Sequence, residues 1–235
     1  MKFIISSQYV RKLSFIALSL FSLGHIAPSF AAGVALGSTR LIYPLGEKQA
    51  SINVTNTDDR ESYLVQSWVS DIHGAKTATF VVTPPLFVLK PGKTNILRVM
   101  YVGPALPEDK ESVFYLNNKA IPSIEKQAVS GNSLQIATQS VIKLFVRPNH
   151  LTVKPSDAPA MLTCRANGNA LVVSNPSPYY VTLVNFVVAG KKRPNTMVPP
   201  MSSQTVAAPG GANGAISYQT LNDYGAITPA LTCKA

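Results

Sequence analysis

The sequence predicts an all-β protein built as β-sandwiches in series, and three observations carry that reading. Short runs rich in Val, Ile, Thr, Tyr and Phe recur along the chain, with almost no apolar spacing at the helical period. Pro, Gly, Asn and Asp punctuate the runs at the intervals of a sandwich. About 203 residues remain once an N-terminal leader is set aside, a length that admits one or two domains of roughly 100–200 residues.

The leader occupies residues 1–32. Lys2, Arg11 and Lys12 form a basic start, residues 13–23 form an apolar stretch, and Ala27-Pro28-Ser29-Phe30-Ala31-Ala32 offers small residues for cleavage after Ala31 or Ala32. The apolar stretch is shorter than the roughly 20 residues that a membrane span needs. Export without a membrane anchor is therefore expected.

In the first half, candidate strands cover 34–43, 49–56, 62–70, 80–83, 86–89, 95–101, 113–120 and 134–146. Turn-forming clusters separate them, among them Pro44-Leu45-Gly46, His73-Gly74, Pro91-Gly92 and Gly131-Asn132. The run stops at Arg147-Pro148-Asn149, because proline cannot donate to a strand ladder. Shorter candidates follow at 161–166, 170–175, 181–188, 204–207, 215–220 and toward Cys233. The expected organisation is a leader over 1–32, a first domain over 33–147, a linker over 148–153 and a second domain over 154–235. No fixed-period repeat is present, so a solenoid is not expected.

Charge and cysteines narrow the partners. The formal charge is +10, and removing the three leader cations leaves 18 basic against 11 acidic residues, a net +7. No dense Lys/Arg run with interleaved aromatics occurs, so a protein partner is favoured over nucleic acid. Cys164 and Cys233 are the two cysteines. In an oxidising compartment such a pair reads as one disulfide, and no Cys-x-x-Cys or histidine partner supports a redox role.

Residues 134–146 make a strand of 13 residues, against a usual length of roughly 5–6. Leu134 and Ile136 alternate with Gln135 and Ala137, so one face is apolar. A long apolar edge is a template for pairing with another chain, including a second copy of the free protein. A core strand covered on both sides is the alternative that composition leaves open.

Several segments then point to a family. Residues 106–117 (Leu-Pro-Glu-Asp-Lys-Glu-Ser-Val-Phe-Tyr-Leu-Asn), with Lys119-Ala120-Ile121-Pro122 after them, resemble the PapD-like periplasmic pilus chaperones. Further matches are Gly33-Val34-Ala35-Leu36, Thr39-Arg40-Leu41-Ile42-Tyr43-Pro44, Val82-Thr83-Pro84-Pro85-Leu86-Phe87 and Ile142-Lys143-Leu144 with Arg147-Pro148. Asn175-Pro176-Ser177-Pro178-Tyr179-Tyr180, Val198-Pro199-Pro200-Met201 and Asn222-Asp223-Tyr224-Gly225-Ala226 extend the resemblance through the second half. It spans the chain beyond the leader, in order, and is nearest to the chaperones of type 1 fimbriae.

The resemblance implies two immunoglobulin-like sandwiches set at an angle around a cleft. It implies a periplasmic protein that captures fimbrial subunits lacking a final strand, completes them by strand addition and delivers them to an outer-membrane usher. It places Arg40 and Lys143 as the cleft pair gripping a subunit's C-terminal carboxylate, where a guanidinium fork and a second cation suit one carboxylate. Leu134, Ile136 and Thr138 fall at the donor-strand positions, although Thr138 stands where the family has a larger aliphatic. Lys143 has the opposite strand parity from those three, so either the two contacts use different faces or a bulge intervenes. Glu111, Arg147 and Asp223 match an ionic triad between the domains. The short connection from Pro122 to Leu134 resembles the branch whose clients build rod-like pili. Asn118 replaces an aliphatic residue, which predicts a wetter strand face, and Thr83-Pro84 resembles a cis turn.

Other classes fit less well. No Gly-rich phosphate loop, Ser/His/Asp arrangement or Gly-x-Ser-x-Gly elbow is present, so neither enzyme activity nor a cofactor is expected. His73 and His150, the two histidines beyond the leader, are too far apart in sequence for ordinary metal spacing. Trp68 is the one tryptophan, sparse for a sugar-binding platform, and is expected in the first core. A pilus structural subunit or adhesin is the alternative function, but a subunit would be one domain with its donor segment near the N-terminus.

Overall fold

The computed structural model describes residues 33–123, 136–212 and 214–234. The leader expected over 1–32, the connection after Ser123 with the turn expected at Gly131-Asn132, and Leu134 fall outside the described residues.

Residues 33–147 form one sandwich. A four-stranded sheet has the order β1 (Val34–Leu36), β3 (Ala50–Asn56), β7 (Thr94–Tyr101), β5 (Phe80–Thr83). A five-stranded sheet has the order β2 (Arg40–Pro44), β9 (Thr138–Arg147), β8 (Ser112–Pro122), β4 (Tyr63–Ser70), β6 (Leu86–Leu89). Alternation sets the core: Ile52 and Val54 on β3, Leu97 and Val99 on β7, Val65 and Val69 on β4, and Leu144 and Val146 on β9 all point inward. The Thr83–Pro84 peptide is cis.

Within 34–43, expected as one strand, the chain forms two strands in different sheets. Gly37 causes the break. Its N–H donates to the Asn53 carbonyl at 2.8 Å, and a Cβ on it would lie 3.3 Å from the Asn53 Cβ. The chain thus stays on β3 until residue 37 and joins β9 only from Arg40.

Two other expectations need correcting. Trp68 lies on the outer face of β4, because Val65, Ser67 and Val69 take the inward positions. Asn118 is buried rather than wet; its Nδ2 donates to Ser67 Oγ at 2.9 Å, so two small polar groups satisfy each other inside.

The second sandwich pairs β10 (Thr163–Asn167), β11 (Ala170–Asn175) and β15 (Ser202–Ala207) in one sheet. Its other sheet has the order β13 (Lys191–Lys192), β12 (Val181–Val188), β16 (Ile216–Thr220), β17 (Leu231–Thr232), with β14 (Thr196–Val198) also on β12. A bulge in β12 shifts its register to β16 between Val184 and Val187, with Asn185 at φ 47°. The bulge changes which parity faces inward: Val181 and Leu183 before it, Phe186 and Val188 after it.

Cys164 on β10 and Cys233 after β17 form a disulfide with a Cα–Cα distance of 5.8 Å across 69 residues of sequence. Replacing both with serine should lower stability by about 2–4 kcal/mol, the usual contribution of a bridge closing a long loop. Urea denaturation of the double variant measures it, and an unchanged midpoint would show that the bridge adds nothing.

Candidate functional site

The site grows from the way β9 is paired. From Thr138 to Val146 β9 runs antiparallel to β8, from Ala120 opposite Thr138 to Ser112 opposite Val146, with no register break. On its other side it runs parallel to β2, but only from Lys143, which lies opposite Arg40, to Arg147, opposite Pro44. Residues 138–142 therefore have no strand on that side among the described residues. Had β2 continued backward it would have covered them; the departure at Gly37 leaves them open.

Even-numbered side chains of β9 point to the core side, where Leu144 and Val146 are buried and Ile142 packs against the cluster. Thr138 and Ser140 continue the same face along the open stretch. Ile136 precedes the strand and is 67% exposed. Lys143, Phe145 and Arg147 occupy the opposite face. Different faces, and no bulge, separate the open edge from the cations.

On that second face the two sandwiches meet. Arg40 and Lys143 stand side by side at matched register on β2 and β9. Arg40 is only 9% exposed; its Nη1 donates to the Leu221 carbonyl at 3.2 Å, while its Nε is buried without an acceptor. The guanidinium also lies 6.0 Å from the centroid of the Phe145 ring. Lys143 Nζ donates to Thr182 Oγ1 of β12 at 3.2 Å. Burial lowers the pKa of both cations, and Arg40 lowers that of Lys143 further. Neither has a carboxylate within ion-pair distance among the described residues.

Arg147 is paired on both sides. Its Nε meets Glu111 at 2.8 Å, and Nη1 and Nη2 make a bidentate pair with Asp223 at 2.7 Å each. Burial opposes its charge, but the bonds to Asp223 and Glu111 outweigh that and hold its pKa above the ordinary arginine value. Glu111 is buried, which raises its pKa, although Arg147 and the Tyr180 N–H at 2.8 Å counter the rise. The Glu111 N–H also donates to the Pro178 carbonyl at 2.9 Å. Glu111 thus joins the second sandwich through backbone as well as through Arg147.

The loop bearing Asp223 is pinned. Asn222 Oδ1 accepts the N–H groups of Tyr224 and Ala226, and Gly225 sits at φ +81°. A Cβ on Gly225 would fall 2.1 Å from Thr39 Oγ1, so the loop packs directly on the start of β2. A cavity of about 540 Å³ opens beside it, walled by Arg40, Phe145, Tyr180, Leu221 and Tyr224. It takes in Arg40 but not Lys143, which reaches toward Thr182 instead.

Thr182 and the Leu221 carbonyl were not singled out by sequence. One signal existed: Thr182 is the polar residue between Val181 and Leu183, placed outward by alternation. No group of three or more metal-ligating side chains occurs among the described residues.

Two family models account for the described chain. Residues 33–152 match the pili and flagellar-assembly chaperone PapD N-terminal domain, and residues 157–232 the pili assembly chaperone PapD C-terminal domain. The chaperone protein FimC of Escherichia coli K12 is 43% identical over 227 residues, covering 96% of this chain and 94% of FimC. The probable fimbrial chaperone ElfD of Escherichia coli O157:H7 is 47% identical over 204 residues, covering 86% of this chain and 87% of ElfD. Among solved structures, the periplasmic chaperone SfaE is similar at a TM-score of 0.74 and 42% identity, covering 86% of this chain and all of SfaE. The SafB chaperone, solved in complex with the Salmonella enterica SafA pilin, is similar at a TM-score of 0.78 and 31% identity, covering 88% of this chain and 99% of the other. With the fold, the sequence and both domain models in agreement, this chain belongs to the PapD family of pilus-assembly chaperones, a class without catalytic activity.

Proposed function

We propose that this protein is a periplasmic chaperone that captures fimbrial subunits by donor-strand complementation and hands them to an outer-membrane usher. The observation that carries the reading is the open side of β9 over residues 138–142, a stretch that pairs with β8 on one side and with no strand on the other among the described residues. Relatives named as fimbrial chaperones, and one solved together with a pilin, favour this role over that of a structural subunit.

In this reading an unfinished subunit adds to the open edge. Its backbone groups pair with those of β9, and Leu134, Ile136 and Thr138 fill its groove. Each large aliphatic buried there contributes roughly 1.5–3 kcal/mol. Thr138 buries less apolar area than a leucine would, so Ile136 carries more of the load in this chain. Arg40 and Lys143 grip the subunit's terminal carboxylate, which supplies the negative charge that neither has as a partner. The Glu111–Arg147–Asp223 network fixes the angle between the sandwiches. The leader over 1–32 delivers the chain to the periplasm, and the two domains run over 33–147 and 154–235 with a linker at 148–153.

Three outcomes test this reading. Arg40→Ala and Lys143→Glu should leave the protein folded but abolish recovery of a co-expressed fimbrial subunit in a periplasmic pull-down. Recovery at the wild-type level would refute the anchor. Ile136→Asp should weaken subunit binding far more than Gln135→Asp; equal losses would remove this stretch from the donor role.

The third concerns pH. A bound carboxylate favours the charged ammonium of Lys143, whose pKa in the free protein is lowered from the ordinary 10.5. Affinity for a carboxylate-ending peptide should therefore be full below that lowered value and fall as pH rises through it. Lys143→Arg should shift the fall upward, since guanidinium stays protonated. Titration of peptide binding by fluorescence anisotropy reads both midpoints, and coincident midpoints would exclude Lys143 as the titrating group.

A further inference from the structure

The two unpaired cations share one property that the anchor reading does not require. Each spends a hydrogen bond on an oxygen of the second sandwich: Lys143 Nζ on Thr182 Oγ1 and Arg40 Nη1 on the Leu221 carbonyl, both at 3.2 Å. Thr182 is buried, yet it contributes nothing to its own core, which is filled by its neighbours Val181 and Leu183. Its hydroxyl points out of the sandwich and meets the lysine of the other one.

A lysine is a compact charge on a flexible stem with three equivalent donors. Beside Arg40, an unrestrained ammonium would swing away from its like-charged neighbour. One fixed acceptor holds it at that register and leaves two N–H groups free. We infer that Thr182 is a positioning residue for subunit capture: its hydroxyl holds the Lys143 ammonium next to Arg40, so that the two cations meet one carboxylate together. The inference rests on the anchor reading and adds a consequence. The first sandwich alone does not make a competent anchor, because the second supplies the oxygens that aim it.

The test uses the full chain beyond its leader, as wild type, Thr182→Val, Thr182→Ser and Arg40→Ala. The probe is a synthetic peptide copying the end of a fimbrial subunit, made with a free carboxylate and with a terminal carboxamide. Valine matches threonine in shape, so packing is kept while the acceptor is lost. Thr182→Val should weaken the free-acid peptide by about tenfold, the scale of one hydrogen bond to a charged group. It should leave the carboxamide peptide unchanged, and Thr182→Ser should restore free-acid binding. Wild-type affinity of Thr182→Val for the free acid would overturn the inference, and so would equal losses for both peptides, since that pattern belongs to packing. If Arg40→Ala also binds the free acid normally, the anchor reading itself falls and takes the inference with it; normal binding by Thr182→Val alone overturns only the positioning role.

Discussion

The constraint on which the rest depends is the departure of the chain from the five-stranded sheet at Gly37. The first strand would have covered β9 completely had it stayed in one sheet. Because Gly37 bonds to Asn53 of the opposite sheet, β2 begins only at Arg40. Half of β9 is left with backbone groups facing outward, a state that proteins ordinarily avoid by charge, proline or closure. Here the same break also places Arg40 at the first paired position, opposite Lys143. The open edge and the paired cations are thus two results of one local event in the chain.

Parity divides the labour. An unbroken register along β9 sends even-numbered side chains to the core side and odd-numbered ones to the meeting face of the sandwiches. Strand addition and carboxylate capture can then occur on one strand without competing for the same surface. A single-residue slip would exchange the two sets and bury Lys143 in the core. The long antiparallel ladder with β8 guards against that slip.

Much of the fold was legible because sandwich strands announce themselves by alternation. Strands β5, β6, β11 and β12 were read from sequence with the bounds they have in the structure. The misreadings of 34–43 and Trp68 share one cause, which is that a single strand's sequence does not reveal its neighbours. Residues 34–43 look continuous until Asn53 claims Gly37, and Trp68 looks like core until Ser67 and Asn118 pair inside. Strands β13 and β14 are too short to show any period. The candidate site was readable only through family resemblance, since Arg40, Lys143 and Asp223 look like ordinary surface charges in isolation. What the resemblance did not supply was the oxygens of Thr182 and Leu221, which depend on how two separate sandwiches meet.

Charge explains why the meeting face remains receptive. Arg40, Lys143 and Arg147 face Glu111 and Asp223 there, three cations against two carboxylates, an excess of one positive charge. Both acids could in principle have neutralised Arg40 and Lys143. Instead Arg147 holds them, with bidentate geometry to Asp223 and a short bond to Glu111. Asp223 is fixed by the Asn222 turn and by the packing of Gly225 on Thr39, and Glu111 by the Pro178–Tyr180 backbone. Neither acid can reach the other cations without breaking these contacts. The surplus charge is therefore kept on the buried Arg40 and the partly buried Lys143, neither with a carboxylate, and one carboxylate from a partner is the smallest addition that would balance it.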